Sequence, residues 1–321
     1  MRALSPDRIA EAMHAIDPIF LHTPLLRETS LGRALGVDLQ LKLETLNPIR
    51  SFKGRGTEFL LSTLKDHRTL VCASAGNFGQ GLARAAAKRN RPVIVFAARN
   101  ANALKVSSMR ELGAEVRMFG ADFDSAKDAA RRFAAQAGAF YVEDGAIPEI
   151  AEGAGTIGLE MSESGSVADV VLLPLGNGAL ATGIGAWLRH SEPSTRVIAV
   201  VSAAAPAMRL SFAAKAPVTT DTANTIADGI AVRQPVSYAV ECMRDTIDEV
   251  VAVSEDAIVR AMRLIHGHLG LVVEPAGAVG VAALLELGTR WKGARAATVL
   301  CGSNVTQEDA KRWLVAPSVK V

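Results

Sequence analysis

The chain alternates short, unbroken apolar runs with alanine-rich stretches over most of its length. VIVFA at 93–97, VVLLP at 170–174 and VIAVV at 197–201 have no polar face. A strand of that kind must be covered on both sides, as in a parallel sheet sandwiched by helices. Strands are expected at 37–43, 69–73, 92–97, 115–119, 169–173, 196–201, 249–253 and 297–301, and helices at 56–64, 79–88, 125–136 and 256–266. Ser5 is placed to cap a first helix that opens on Pro6. This order of elements predicts an α/β protein, doubly wound, with largely parallel sheets. At roughly 150 residues per domain, the chain has room for two. No linker composition separates two halves, so a second domain is expected as an insertion in the first. Residues 202–224, small and polar, read as an irregular excursion.

Composition narrows the function by exclusion. Apolar residues at 49% and charged residues at 21% rule out a disordered chain. A net charge of +2 gives no concentrated basic face for nucleic acid. The Arg131-Arg132 pair reads as a solvated helix face. No apolar run approaches the roughly 18 residues that span a membrane, and charges stand where a signal peptide would be apolar. The expected setting is the cytoplasm. Cys72, Cys242 and Cys301 are odd in number and lack CxxC spacing, so neither a disulfide framework nor a zinc site is indicated. His266 and His268 have no partner carboxylate nearby, and no metal is expected.

Three glycine segments need separating. Gly153, Gly155 and Gly158 match GxGxxG, but the acidic, Pro148-interrupted stretch before them is no strand, so they read as a glycine-rich helix start rather than a dinucleotide site. Gly176-Asn177-Gly178-Ala179-Leu180 does follow a buried strand and open a helix. Such a turn presents backbone N–H groups to an anion, and without the Lys-Ser/Thr ending of a nucleotide loop a single phosphate fits best. Read alone it is equally a plain tight turn. Ser74-Ala75-Gly76-Asn77 repeats the arrangement and suits a carboxylate, with the Asn77 amide to orient a ligand oxygen. Lys53 follows Phe52 at a loop-to-helix junction, where the helix dipole disfavours a cation. A phosphate cradle, a carboxylate cradle and a misplaced lysine are the needs of a pyridoxal-phosphate enzyme acting on an amino acid.

The segments 22–25 (HTPL), 51–56 (SFKGRG), 74–77 (SAGN), 155–156 (GT), 174–180 (PLGNGAL), 227–229 (ADG), 274–277 (EPAG) and 301–304 (CGSN) occur in the order found in the threonine/serine dehydratase (threonine ammonia-lyase) group. Over nearly its whole length the chain resembles that group, which belongs to the fold-type II, tryptophan-synthase-β-like enzymes using pyridoxal 5'-phosphate. The resemblance implies two doubly wound domains, a large one of 1–67 and 147–321 and a small one of 68–146 inserted in it. It implies that Lys53 carries the cofactor as a Schiff base and removes the substrate α-proton. Phe52 then flanks the ring, Asn77 bonds its hydroxyl, and residues 176–180 hold its phosphate. Gly229 lies beside the ring, Glu274 closes the site, and Cys301 faces the pyridine nitrogen where the group usually has Ser or Thr. Ser74, Ala75, Gly76 and Asn77 take the substrate carboxylate. The implied reaction is β-elimination of a β-hydroxy amino acid such as L-threonine or L-serine to a 2-oxo acid and ammonia, the β-hydroxyl drawing its proton from the cofactor phosphate. The implied assembly is a homodimer. A serine racemase or a β-replacement enzyme on the same scaffold is the alternative.

The departures matter for ranking these. Ala75 stands where related racemases have a Ser on the opposite face, which favours elimination. The loop after the strand at 196–201 offers no carboxylate for a divalent cation. Phe78 replaces a usual His, and Glu152 replaces a usual small residue. Glu152 either reads a polar or cationic substrate tail or is a helix N-terminal Glu favoured by the dipole.

Overall fold

The computed structural model describes residues 2–27, 29–165 and 168–315. Its first part runs α1 (Pro6–Ala15), β1 (Leu25–Leu26), α2 (Ser30–Leu35), β2 (Asp38–Leu43) and α3 (Lys53–Thr63). Next come β3 (Leu70–Ala73), α4 (Asn77–Ala87), β4 (Val93–Ala97), α5 (Ala103–Glu111), β5 (Glu115–Met118), α6 (Phe123–Ala137) and β6 (Phe140–Tyr141). Then follow α7 (Pro148–Glu163), β7 (Val170–Pro174), α8 (Ala179–Ser191), β8 (Arg196–Ser202) and α9 (Ala207–Ala214). The chain closes with α10 (Ser237–Thr246), β9 (Glu249–Val253), α11 (Glu255–Leu269), α12 (Pro275–Glu286), β10 (Arg295–Leu300) and α13 (Gln307–Leu314).

Two sheets form. One has the order β1-β2-β10-β7-β8-β9, the other β5-β4-β3-β6. Every pairing of these strands is parallel except β1 with β2. All strands of the smaller sheet fall between β2 and β7 in sequence, so it is an insertion. Each sheet reverses its winding once, between β7 and β10 in the larger and between β3 and β6 in the smaller. Ligands of such sheets bind beyond the carboxyl ends of the strands flanking that reversal. The turns there are 175–178, 301–304, 74–76 and 142–145, and they face one another.

A ladder of buried Val, Leu and Ile side chains on β7, β8 and β10 forms the larger core. Beside it α3, α7 and α8 pack unusually close. A Cβ built on Gly153 of α7 would lie 2.6 Å from the Arg55 carbonyl oxygen and 2.7 Å from Gly56 Cα on α3. On Gly155 it would lie 2.9 Å from the Gly183 carbonyl oxygen on α8. The GxGxxG stretch is therefore inside a helix, not at its start, and its glycines are there for backbone contact.

Two local expectations need correction, and two strands have no counterpart among those expected. Ser5 occupies the N-cap position of α1 but its side chain makes no capping bond; its backbone N–H donates to Glu152 instead. The 202–224 stretch contains a helix, α9. Strands β1 and β6 are two-residue edges too short to leave a periodic signal.

Candidate active site

The loop that delivers Lys53 is fixed from both sides. The Asn47 amide oxygen accepts from the N–H groups of Ile49 and Ser51, both at 3.2 Å. Phe52 N–H donates to the Cys301 carbonyl at 3.1 Å, tying the loop to the end of β10. Arg55, wholly buried, anchors the start of α3 from below. Its guanidinium donates to Glu44 at 2.8 and 2.9 Å and to Glu160 at 2.6 and 3.0 Å. Lys42 adds a second cation to Glu160 at 2.5 Å. Burial opposes a charged Glu160, but the Arg55 and Lys42 partners outweigh it and hold its carboxyl below the ordinary range.

Lys53 is the first residue of α3 and points into a cleft of about 790 Å³. Its Nζ lies 4.7 Å from the Phe52 ring centre and 5.8 Å from that of Phe78. It donates to Asp144 Oδ2 at 2.6 Å. The same oxygen accepts from Asn177 Nδ2 at 3.4 Å, so amine and glycine turn are separated by no more than two hydrogen-bond lengths. That turn ends at Gly178, whose φ of +95° favours glycine. The first turn of α8 then offers N–H groups with no partner in the helix. Opposite lies the 74–77 turn. Ser74 Oγ accepts from Gly76 N at 3.1 Å and Gly79 N at 2.9 Å, which shapes the turn.

Phe52, Lys53, Ser74, Ala75, Gly76, Asn77, Phe78, residues 176–180, Gly229, Glu274 and Cys301 all line this one cleft. Glu152 does not. It is buried on α7 and pairs with Arg2, Nη2 to Oε2 at 2.7 Å, on a helix face turned toward the N-terminal segment. α7 is buried on nearly all sides, so its sequence has no amphipathic pattern from which to read its rotation.

The back of the cleft is a polar cluster. Asn77 Nδ2 donates to the Glu274 oxygens at 2.9 and 3.1 Å, and Asn77 Oδ1 accepts from Asn304 Nδ2 at 2.8 Å. Burial raises the Glu274 carboxyl above its usual value, partly offset by Lys105 3.9 Å away. Lys105, on α5, reaches across to Asp228 at 2.7 Å. Burial lowers its affinity for a proton, yet Glu274 and Asp228 together keep the ammonium above its ordinary value. Burial, and then Glu274, push the Cys301 thiol up to about 12. Cys301 is therefore a neutral thiol at working pH.

The sequence does not mark Lys105, Asp144, Asp228 or Asn304 as site residues. Asp144 and Lys105 meet partners 91 and 123 residues away. At Asp144 the sequence shows only an Asp-Gly pair, because the strand before it, β6, is too short to be read.

The donor set fits pyridoxal phosphate. An amine suits its aldehyde, an N–H turn suits its phosphate, and an uncharged Cys301 suits a pyridine nitrogen. An α/β enzyme with a lysine amine set in a cleft between two glycine turns is the class this geometry defines. Residues 16–302 match the PALP family, the pyridoxal-phosphate dependent enzymes, and the chain belongs to that family. L-threonine ammonia-lyase of Thermotoga maritima is 35% identical over 300 residues, covering 92% of this chain and 75% of that protein. Maize serine racemase superposes with a TM-score of 0.90 at 28% identity, covering 97% of each chain. The processed form of threonine deaminase isoform 2 from Solanum lycopersicum superposes with a TM-score of 0.88 at 27% identity, covering 95% of this chain and 86% of the other. The expected fold-type II architecture is thus the one observed. No helix among the described residues is long and apolar enough to cross a membrane.

Proposed function

We propose that the chain is an ammonia-lyase converting a β-hydroxy amino acid, of the L-threonine or L-serine kind, to a 2-oxo acid and ammonia. The observation that carries this reading is the Lys53 amine set between two N–H turns, within two hydrogen bonds of the one suited to phosphate. Lys53 is the attachment point and the base that takes the α-proton on its Nζ. Residues 176–180 hold the phosphate, Phe52 and Gly229 bracket the ring, and Asn77 and Glu274 border its polar edge. Bound there, pyridoxal phosphate supplies the electron-accepting ring that lets a Cα–H bond break. Cys301, a neutral thiol, would be the residue facing the ring nitrogen and would give that nitrogen an uncharged partner. The turn at 74–77 orients the substrate carboxylate, and Phe78 walls the pocket in place of a titratable side chain.

Residues 68–146 act as a small domain that closes on 1–67 and 147–321, excluding water during the reaction. The protein works as a cytoplasmic homodimer by the same resemblance. The maize relative makes serine racemisation the second reading, and Ala75, with no proton to give, argues against it. Release of 2-oxo acid and ammonia from L-threonine and L-serine, with chiral analysis of recovered serine, tests the ranking. Lys53→Ala should abolish turnover and the borohydride-fixable attachment of cofactor to the protein. An active Lys53→Ala enzyme ends the assignment.

A further inference from the structure

Asp144 lies beyond the end of β6, at the winding reversal of the smaller sheet. One of its carboxylate oxygens is shared between Lys53 Nζ at 2.6 Å and Asn177 Nδ2 at 3.4 Å. The other, Oδ1, is buried and has no hydrogen-bond partner among the described residues. The chain pins the group there: Gly145 follows with φ +84°, and a Cβ on it would collide with the Asn177 backbone. A buried acceptor left unpaired is costly, so a donor is expected to meet it during work. Lys53, the base expected to hold the abstracted proton, already meets the same carboxylate through its other oxygen, Oδ2. On the far side is the turn suited to phosphate, so the carboxylate stands between the reacting amine and the cofactor's anionic end.

We propose that Asp144 is a second catalytic residue, which receives from Lys53 the proton taken from the substrate Cα and delivers it to the departing β-hydroxyl. This rests on the β-elimination reading above. In the balanced step the Cα–H and Cβ–O bonds break and a Cα=Cβ bond forms. The proton passes from Lys53 Nζ to an Asp144 oxygen and on to the hydroxyl oxygen, which leaves as water. Lys53 and Asp144 return to their starting protonation, and no oxidant or reductant is consumed. Such a relay makes a protonated leaving group available without a proton from solvent or from the cofactor phosphate.

The test compares two leaving groups in the full-length holoenzyme. L-Serine loses hydroxide and needs a proton; β-chloro-L-alanine loses chloride and needs none; both yield pyruvate and ammonia. With Asp144→Asn the rate on L-serine should fall about 100-fold or more, while that on β-chloro-L-alanine stays within about threefold. Asp144→Glu should recover part of the L-serine rate. Cofactor affinity, read from the absorbance of bound pyridoxal phosphate, should be unchanged in Asp144→Asn. Equal loss on both substrates would make Asp144 a positioning residue for Lys53 and overturn the proposal. So would no loss on either, which sends the proton through the phosphate, or a variant that no longer binds cofactor. A wild type inert toward both substrates would sink the elimination reading itself, an outcome distinct from any of these.

Discussion

Replacing Gly153 with Ala adds one methyl group where α7 crosses α3. All three nearest atoms to that methyl are backbone: Arg55 O at 2.6 Å, Gly56 Cα at 2.7 Å and Arg55 C at 2.9 Å. No rotamer change can relieve them. Carbon–oxygen contacts return to roughly 3.3–3.6 Å only if the two helices part by something approaching an ångström. Overpacking of this kind costs about 1–3 kcal/mol, and the upper end applies because only whole helices can move. Against it stands the gain of about 1 kcal/mol for Ala over Gly within a helix. Net destabilisation should therefore be about 2 kcal/mol. Gly267 of α11 provides the control, since a Cβ there meets nothing within 4 Å. Gly267→Ala, the same chemical change, should stabilise by about 1 kcal/mol. Urea midpoints of the two variants should move in opposite directions, and Gly153→Ala should also weaken cofactor binding because α3 begins with Lys53. Midpoints that shift together, or a Gly153→Ala protein as stable as the parent, would refute the close-packing argument.

Removing the buried cation beneath the site should be more damaging. Arg55→Met leaves Glu44 without its guanidinium and should destabilise by about 3–5 kcal/mol, read by urea unfolding. The same variant should lose part of its acid sensitivity. Glu160 is held below the ordinary carboxyl range in the fold, so its contribution is fully present above the unfolded-state value and disappears as pH falls through the folded one. A parent and an Arg55→Met protein with superimposable acid limbs would contradict this. At Cys301, the raised thiol predicts no alkylation by iodoacetamide in the native protein at about pH 8, below the range where such a thiol ionises, checked by peptide mass spectrometry. Cys301→Ser should bind cofactor at least as tightly, because a hydroxyl is the stronger hydrogen-bonding group; weaker binding would show that the thiol is not facing the ring nitrogen.

What could be read from the sequence was set by whether the signal is local. The strand at 249–253 is recovered to the residue, because its apolar run follows Asp248-Glu249 and stops at Ser254, which caps α11. α3 begins at Lys53 rather than Gly56, since the Phe52 carbonyl already accepts from Arg55 N–H. The two cradles and the lysine were legible because each needs glycine, Asn or Lys at a strand-to-helix junction. The choice between the two readings of Glu152 needs the helix phase: α7 is buried nearly all round, so no amphipathic pattern says which face meets the cleft. Asp144 and Lys105 escaped because their partners are set by how the two sheets meet. Arg131 and Arg132 are exposed, as a solvated helix face requires, and Arg131 also pairs with Glu143 across the α6–β6 turn.

Beside the apolar packing of α4 on α3 and α7, ion-pair and amide contacts tie the small-sheet elements to the other side of the cleft. Lys53 meets Asp144, Lys105 meets Asp228, Asn77 meets Glu274, and Arg233 Nε meets Asp124 Oδ2 at 2.5 Å. Dissolved ions compete with such ties unevenly. Screening acts over about 10 Å at 0.1 M salt, and reaches Arg233 and Asp228 at the rim well before the sheltered Lys105 and Glu274. The entrance thus has a graded clasp, one that brine would loosen from the outside inward.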